Sequence, residues 1–137
     1  VHKFYFTKMK KELFSSGSIW EEKFGYSRAV KAGNLIFVAG TTATDENSNV
    51  MFPGDAYRQT VQIIKKIEKV LEQAGSSLND IVRLTMYVTD ISQGMEVGRA
   101  TGEYFKDIRP ANTMVEVSGF VHPDMLVEIS ADAVIGN

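Results

Sequence analysis

Apolar side chains recur at helical spacing between residues 55 and 74, and this is the clearest periodic pattern in the chain. The stripe is formed by Val61, Ile63, Ile64, Ile67, Val70, Leu71 and Ala74. Asp55 is a suitable N-cap before this stripe. Gly75 is a suitable stop after it, because glycine accepts the left-handed conformation that ends many helices. The pattern predicts an amphipathic helix that buries one face.

A second, weaker helix is predicted from residue 90 to residue 105. Gly94, Gly98 and Gly102 each lower its stability by about 1 kcal/mol relative to alanine. Because the three glycines are four residues apart, they lie on nearly one face of the helix. We expect that face to approach the sheet or a neighbouring helix closely. The segment is too polar for a membrane dimer motif.

Strict alternation of apolar and polar side chains in residues 81–88 predicts a strand. Val82, Leu84, Met86 and Val88 are expected to share one face, and the side chains between them the other. Five shorter runs predict further strands, at residues 12–14, 26–32, 34–39, 113–118 and 126–135. Gly33 and Asn34 stand between two of these runs and predict a tight hairpin turn, since both residue types tolerate positive φ.

The predicted order of elements is β-β-β-α-β-α-β-β, which is typical of the α+β class. Such an order favours a mixed sheet with the two helices packed on one face. The other face would carry outward valine and methionine side chains, and oligomerisation would cover them. The chain has 137 residues and a mass of 15.2 kDa, with no repeat or linker, so residues 1–137 are expected to form a single domain.

Charge and composition narrow the classes of function. The net charge of −2 and the pI near 5.7 argue against a nucleic-acid partner held by phosphate contacts. The absence of cysteine excludes disulfides and thiol chemistry. His2 and His122 lack companion ligands at metal-binding spacing, so no metal and no cofactor is expected. No apolar run approaches the roughly 18 residues of a membrane span, and the first residues do not resemble a secretion signal, so a cytoplasmic protein without a membrane partner is expected.

The most informative motif lies near the C-terminus. Residues 109–117 read Arg-Pro-Ala-Asn-Thr-Met-Val-Glu-Val, and Glu128 follows on the next predicted strand. With the Gly-Tyr-Ser-Arg-Ala-Val run at residues 25–30, this resembles the signature of the Rid (YjgF) family of imine and enamine deaminases. The resemblance covers nearly the whole chain from about residue 24. It implies a chorismate-mutase-like fold, homotrimers and a cleft for small molecules at each boundary between subunits.

The resemblance also implies roles for individual residues. Glu128 would be the catalytic carboxylate that positions water, and Tyr26 would close the pocket. The other positions that match ligand-binding residues of the family are Ala39, Gly40, Arg99, Asn112, Thr113 and Met114. From the residues alone, Glu128 could equally be a solvated strand residue, Tyr26 a core or interface aromatic, and Asn112 a turn residue.

One position departs from the family pattern. Asn112 stands where relatives carry the arginine that grips the carboxylate of the substrate. Losing a two-pronged ion pair in a desolvated cleft should cost roughly 2–5 kcal/mol of binding. We therefore expect a trimeric protein that binds small carbonyl, enamine or imine metabolites, with standard imino-acid deaminase activity lost or altered.

Two alternatives remain open at this point. Arg28, Arg99 or Arg109 could replace the missing arginine, and the protein would then be an active deaminase of 2-iminobutanoate or 2-iminopropanoate. Some relatives are described as endoribonucleases or translation inhibitors, and the third reading is such an RNA-directed role. The acidic pI and the lack of a basic, aromatic-rich face argue against it.

Overall fold

A computed structural model, which describes residues 10–136, shows an α+β fold built on one mixed sheet. The elements in chain order are β1 (Lys11–Phe14), α1 (Ile19–Phe24), β2 (Ala29–Ala32), β3 (Leu35–Thr41), α2 (Ala56–Gln73), β4 (Ile81–Val88), α3 (Gly94–Phe105), β5 (Ala111–Glu116) and β6 (Val127–Val134). The six strands lie in the order β1-β2-β3-β6-β4-β5. Strands β4 and β5 are parallel, and every other pair is antiparallel. The chorismate-mutase-like α+β class expected from the sequence is confirmed.

The predicted element order lacked one helix. Helix α1 has only six residues, too few to show a helical period, and it follows a serine- and glycine-rich turn. Ser18 caps it by accepting a hydrogen bond from the Trp20 amide, and Gly25 ends it in the left-handed conformation at φ 72°. The order is therefore β-α-β-β-α-β-α-β-β. The start of the chain, with His2 and the segment compared with a secretion signal, lies outside the described residues.

Helix α2 forms where the apolar stripe of residues 55–74 predicted an amphipathic helix. The Asp55 side chain accepts a hydrogen bond from the Arg58 amide at 2.9 Å. Gly75 takes φ 81° after the last turn, and the Ser76 amide donates to the Leu71 carbonyl at 2.8 Å. The buried face comprises Ala56, Gln59, Thr60, Ile63, Ile64, Ile67, Val70 and Leu71. This face packs against β3, β6 and α3, so it supplies much of the core.

Strand β4 departs from strict alternation at its start. Its pairing with β6 shifts register between Ile81 and Arg83. This irregularity turns Ile81 into the core and leaves Val82 47% exposed, so the prediction that Val82 shares a face with Leu84 was wrong. From Leu84 onward the strand alternates as expected, with Met86 and Val88 buried.

The glycines of α3 only partly fulfil the expected close approach. A methyl group on Gly94 would lie 3.4 Å from the Met114 sulfur, whereas one on Gly98 or Gly102 would meet no atom within 4 Å. Within the chain, the expectation therefore fails at those two positions. Val97, Ala100, Thr101 and Phe105 form the buried face of the helix instead.

The face of the sheet opposite α2 and α3 carries exposed apolar side chains. Leu13, Val30 and Phe37 lie in one row across β1, β2 and β3, and Leu13 is 63% and Phe37 46% exposed. Val115 on β5 is 42% exposed. We call this the open face. Within residues 10–136, the methionines of β4 and β5 do not lie on this face, since Met86 is buried and Met114 packs against the core. No helix within residues 10–136 has the length and hydropathy of a membrane span.

Candidate functional site

The candidate site lies where β3 ends beside β6. The pairing of these strands is irregular between Val38 and Thr41, which places Gly40 beneath the side chain of Glu128. A methyl group on Gly40 would lie only 2.8 Å from the carboxyl carbon of Glu128. The present position of the Glu128 carboxylate, against bare backbone, is therefore compatible only with glycine at residue 40. This contact joins two residues that the sequence singled out.

Glu128 is a partly buried carboxylate on β6. Its neighbours Val127 and Ile129 point into the core, so the Glu128 side chain projects from the opposite side of the strand. Burial raises the pKa of Glu128 above its ordinary value, and the positive charge of Arg28 opposes that rise without cancelling it. A carboxyl group that keeps its proton to higher pH than usual is suited to general acid–base chemistry.

Arg28 is the cation of this site. It is only 8% exposed, and its Nη1 donates to the Gly40 carbonyl at 2.8 Å and to Thr41 Oγ1 at 3.0 Å. Its Nη2 lies 3.4 Å from the Tyr26 hydroxyl, and its guanidinium carbon lies 5.6 Å from the centre of the Tyr26 ring. Arg28 therefore links the tyrosine of the predicted site to the backbone under Glu128.

Glu21 lies on the other side of Arg28. Together with Glu128, Gly40, Arg28 and Tyr26 it forms what we call the cluster. Its Oε2 lies 3.7 Å from Arg28 Nε, and its carboxylate accepts hydrogen bonds from the amide and the hydroxyl of Ser16. Burial would raise the pKa of Glu21, but hydrogen bonds from Ser16 and Ser15, together with Arg28, outweigh it and hold that pKa below its ordinary value. Sequence analysis missed Glu21, because nothing in its spacing distinguishes it from the neighbouring Glu22.

Lys66 of α2 supports the loop that follows β3. Its ammonium group donates to the Thr42 carbonyl at 2.7 Å and to Thr44 Oγ1 at 2.8 Å. Burial, together with the nearby charge of Arg28, lowers the pKa of Lys66 from 10.5 to about 8. The backbone that leads away from Gly40 and Thr41 is thus tied to a helix of the core.

Three of the predicted ligand-binding residues lie elsewhere in the chain. Asn112, Thr113 and Met114 are on β5 at the edge of the sheet, and β4 separates them from β6. Glu128 shares its row across the sheet with Tyr87 of β4, three residues further along that strand than the partner of Asn112. Strand spacing and rise place Asn112 about 14 Å from Glu128 along the sheet. Asn112 and Glu128 of one chain therefore do not meet.

The other two candidate arginines also lie away from Glu128. Arg99 on α3 is exposed and bonded to Glu96 at 2.8 Å, and its guanidinium stacks 3.7 Å from the Tyr57 ring. Arg109 is exposed at the end of the same unit, in the left-handed region at φ 54°. Arg28 is therefore the arginine that the structure brings to Glu128.

A groove opens beside Tyr26, over strands β1, β2 and β3. Its volume is about 470 Å³, and it is lined by Lys11, Leu13, Gly25, Tyr26, Ser27, Val30, Phe37, Val38 and Ala39. Tyr26 and Ala39, two of the predicted ligand-binding residues, thus face the same space. Among residues 10–136, no group of three or more acidic or histidine side chains is arranged to hold a metal ion.

Comparison with known proteins places this chain in a family. The family model described as Endoribonuclease L-PSP matches residues 20–135. A RutC family protein of Pyrococcus abyssi is 41% identical over 79% of this chain and 84% of its own. The protein named 3-aminoacrylate deaminase RutC, from Acinetobacter baylyi, is 37% identical over 79% of this chain and 85% of its own.

Solved structures agree with the sequence matches. A member of the YjgF/YER057c/UK114 family from Mycobacterium tuberculosis superposes with a TM-score of 0.83 at 44% identity, covering 92% of this chain and all of that one. A Rid family protein from Yersinia pestis gives a TM-score of 0.82 at 29% identity over 92% of this chain and 100% of that one. The chain therefore belongs to the endoribonuclease L-PSP family, whose members also bear the names YjgF and Rid.

Proposed function

We propose that this single-domain protein forms homotrimers that bind small, uncharged carbonyl, imine or enamine metabolites, with Glu128 as the acid–base group. Turnover of the standard imino acids, which carry a carboxylate, is lost or strongly reduced. The observation that carries the proposal is the state of Arg28. It is the guanidinium beside Glu128, its Nη1 donates to two protein groups and its Nε faces Glu21.

The contacts of Arg28 leave no free pair of parallel N–H donors with which to bind a carboxylate. Its two Nη1 protons are matched by the Gly40 carbonyl and Thr41 Oγ1, and its Nε faces Glu21. Gripping a carboxylate requires two parallel N–H donors from one guanidinium. With Glu21 opposite it, Arg28 also lends little net charge to a guest. The cluster therefore favours neutral ligands.

Glu128 has the properties that hydrolysis of an imine requires. As a carboxylate it can take a proton from a water that attacks the imine carbon, and it can then return that proton to the departing amine. Its raised pKa brings the two protonation states closer to neutral pH. The relative named 3-aminoacrylate deaminase supports enamine deamination as the class of reaction. The substrate in its name carries a carboxylate, so that relative does not support the preference for uncharged ligands, which rests on Arg28 and Asn112 of this chain.

Assembly would bring the separated residues together. Asn112 lies on β5 at one edge of the sheet, and the groove that Tyr26 and Ala39 line lies near the other edge, so a cleft between two copies can draw on both. Asn112 would then offer an amide to the carbonyl, hydroxyl or amide group of a neutral ligand. The cytoplasmic location stays a prediction from sequence.

Ammonia release from matched substrates tests the proposal. We expect the purified protein to hydrolyse 2-iminopropanamide, which is neutral, at least about tenfold faster in kcat/KM than 2-iminopropanoate, because burying an unmatched carboxylate is costly. Glu128→Gln should abolish the faster reaction, and Glu72→Gln, an exposed position on α2, should not. Equal or faster turnover of 2-iminopropanoate would refute the preference for neutral guests.

Asn112→Arg gives the converse measurement. A guanidinium at this position should raise kcat/KM for 2-iminopropanoate by tens-fold or more, in line with the roughly 2–5 kcal/mol that such pairs contribute. No gain in a folded, trimeric variant would show that residue 112 does not face the ligand.

A second candidate function is an active imino-acid deaminase that uses Arg28. The observation in its favour is that Arg28 Nη2 contacts only the Tyr26 hydroxyl, at the long distance of 3.4 Å, and could turn toward a ligand. Arg28→Gln decides between the two. A loss of about 100-fold or more in kcat/KM for 2-iminopropanoate, with the neutral amide little affected, would establish the deaminase and remove the first proposal.

A further inference from the structure

We propose that Glu21 acts through Arg28 as a positioning residue for Glu128, holding the guanidinium against the Gly40 carbonyl and cancelling most of its charge. The inference rests on the role of Glu128 in the proposed function. Neither the family resemblance nor the sequence pattern pointed to Glu21.

The geometry forms a chain of three buried or partly buried charges. Ser16 fixes the Glu21 carboxylate through its amide and hydroxyl, and Glu21 faces Arg28 Nε at 3.7 Å. Arg28 Nη1 then donates a hydrogen bond to the Gly40 carbonyl at 2.8 Å, and Gly40 lies directly against the carboxyl group of Glu128. Glu21 is 4% exposed and Arg28 8% exposed, so water screens this pair little. We therefore expect a change of charge at Glu21 to reach Glu128 through Arg28.

A solvated surface role for Glu21 does not account for these contacts. Glu22, its neighbour on α1, is exposed, whereas Glu21 is buried with every carboxylate oxygen matched. A purely structural role is the stronger competitor, because a buried ion pair can simply fix α1 to the sheet. The two roles differ in one consequence. Only the proposed role makes the proton affinity of Glu128 depend on the charge of Glu21.

The sign of that dependence follows from the charges. Removing the negative charge of Glu21 leaves Arg28 uncompensated, and an uncompensated cation stabilises the Glu128 carboxylate, so the pKa of Glu128 should fall. Removing Arg28 should raise it. Four other titratable groups lie around the cluster: Tyr26, Tyr87 opposite Glu128 on β4, Lys66 of α2 and Asp45 of the loop after β3. None of these four residues is replaced in the variants.

The experiment is a carboxyl titration that needs no turnover. The pKa of Glu128 is measured by NMR in protein with ¹³C-labelled glutamate side chains, and Glu128→Gln assigns the signal. We expect Glu21→Gln to lower that pKa by at least about half a pH unit and Arg28→Gln to raise it by a similar amount. Glu22→Gln, the matched control on α1, should leave it unchanged. In an Arg28→Gln background, Glu21→Gln should lower the pKa of Glu128 by clearly less, because only the direct repulsion between the two carboxylates is then removed and no guanidinium is left to shift.

Two results would overturn the proposal. One is an unchanged Glu128 titration in folded Glu21→Gln, and the other is an equal shift with and without Arg28. If Glu21→Gln fails to fold, Glu21→Asp replaces it, because it keeps the charge but draws it back from Arg28 by one methylene. The proposal then requires a smaller fall in the same direction, and no fall in Glu21→Asp refutes it. Since the readout is a titration, a protein that proves inactive toward imines refutes the proposed function without deciding this inference.

Discussion

At the scale of single residues, the contact between Gly40 and Glu128 defines the site. Gly40→Ala would place a methyl group 2.8 Å from the Glu128 carboxyl carbon, which is too close for the carboxylate to stay where it is. The end of a flexible side chain can move, so we expect a loss of stability below about 1 kcal/mol. The displacement of the Glu128 carboxylate should nevertheless lower kcat/KM for 2-iminopropanamide by 100-fold or more.

Chemical denaturation and steady-state kinetics on the same preparation measure both effects. Gly102→Ala is the control, because a methyl group there meets no atom within 4 Å. A Gly40→Ala protein with full activity would show that Glu128 need not rest on the backbone at residue 40.

The residues of the site differ in how far sequence could predict them. Glu128, Tyr26 and Gly40 match a family motif; Gly40 lies against Glu128, and Arg28 links Gly40 to Tyr26. Arg28 was one of three arginines that could not be ranked from sequence, since only folding decides which of them reaches β6. Glu21 left no signal at all, because its pairing with Arg28 depends on how the six residues of α1 end at Gly25.

At the scale of the elements, the glycines of α3 are a source of avoidable instability. Gly98 lies in the middle of the helix and a methyl group there meets open space. Gly98→Ala should therefore stabilise the protein by about 0.5–1 kcal/mol, through helix propensity alone. Gly94→Ala should gain less, since its methyl group would touch the Met114 sulfur at 3.4 Å. Urea denaturation of both variants measures the difference. A destabilised Gly98→Ala protein would mean that a second copy packs closely on this face.

The partly buried ammonium group of Lys66 should make the free energy of unfolding depend on pH. Below pH 8 both the folded and the unfolded chain hold its proton, and folding bears the full cost of burying the charge. Between about pH 8 and 10.5 the folded chain releases the proton first, so unfolding takes one up and stability rises with pH. This contribution to the slope is at most about 1.4 kcal/mol per pH unit.

Lys66→Met removes the titrating group and retains most of the stem. Denaturation curves from pH 7.5 to 10.5 should show the rise in the wild type and in Lys65→Met, an exposed control on the same turn, but not in Lys66→Met. Parallel curves for all three proteins would mean that Lys66 titrates like a solvated lysine.

Elements with a clear local pattern were predicted well, whereas the six-residue helix α1 and the register of β4 were not. Helix α2 buries eight residues in one stripe, and so many repeats leave little ambiguity. Val82 was assigned to the wrong face because a register shift in the ladder depends on the partner strand β6, which lies far away in sequence. The parallel pairing of β4 with β5 follows from the crossover through α3, and no local pattern encodes it.

At the scale of the whole molecule, the main feature is the open face of the sheet, where a single chain leaves apolar side chains exposed. It carries the apolar row of Leu13, Val30 and Phe37 opposite the helices, and two of these side chains are more than 40% exposed. Exposed apolar patches of this kind mark interaction sites, and interfaces between proteins are one class of them. The proposed trimer would bury it, so the mass of the free protein in solution should be three times the 15.2 kDa of the chain.

Phe37→Glu tests whether this face holds the trimer together. A carboxylate in place of an aromatic side chain at a buried interface should weaken association by at least about 100-fold. Sedimentation velocity at micromolar concentration should then show monomers that keep their far-UV circular dichroism. Met95→Glu provides the control, because Met95 is 85% exposed on α3, on the helical side of the sheet. If both variants remain trimeric, the copies meet through another surface, and the cleft that brings Asn112 to a neighbouring Glu128 must be sought there.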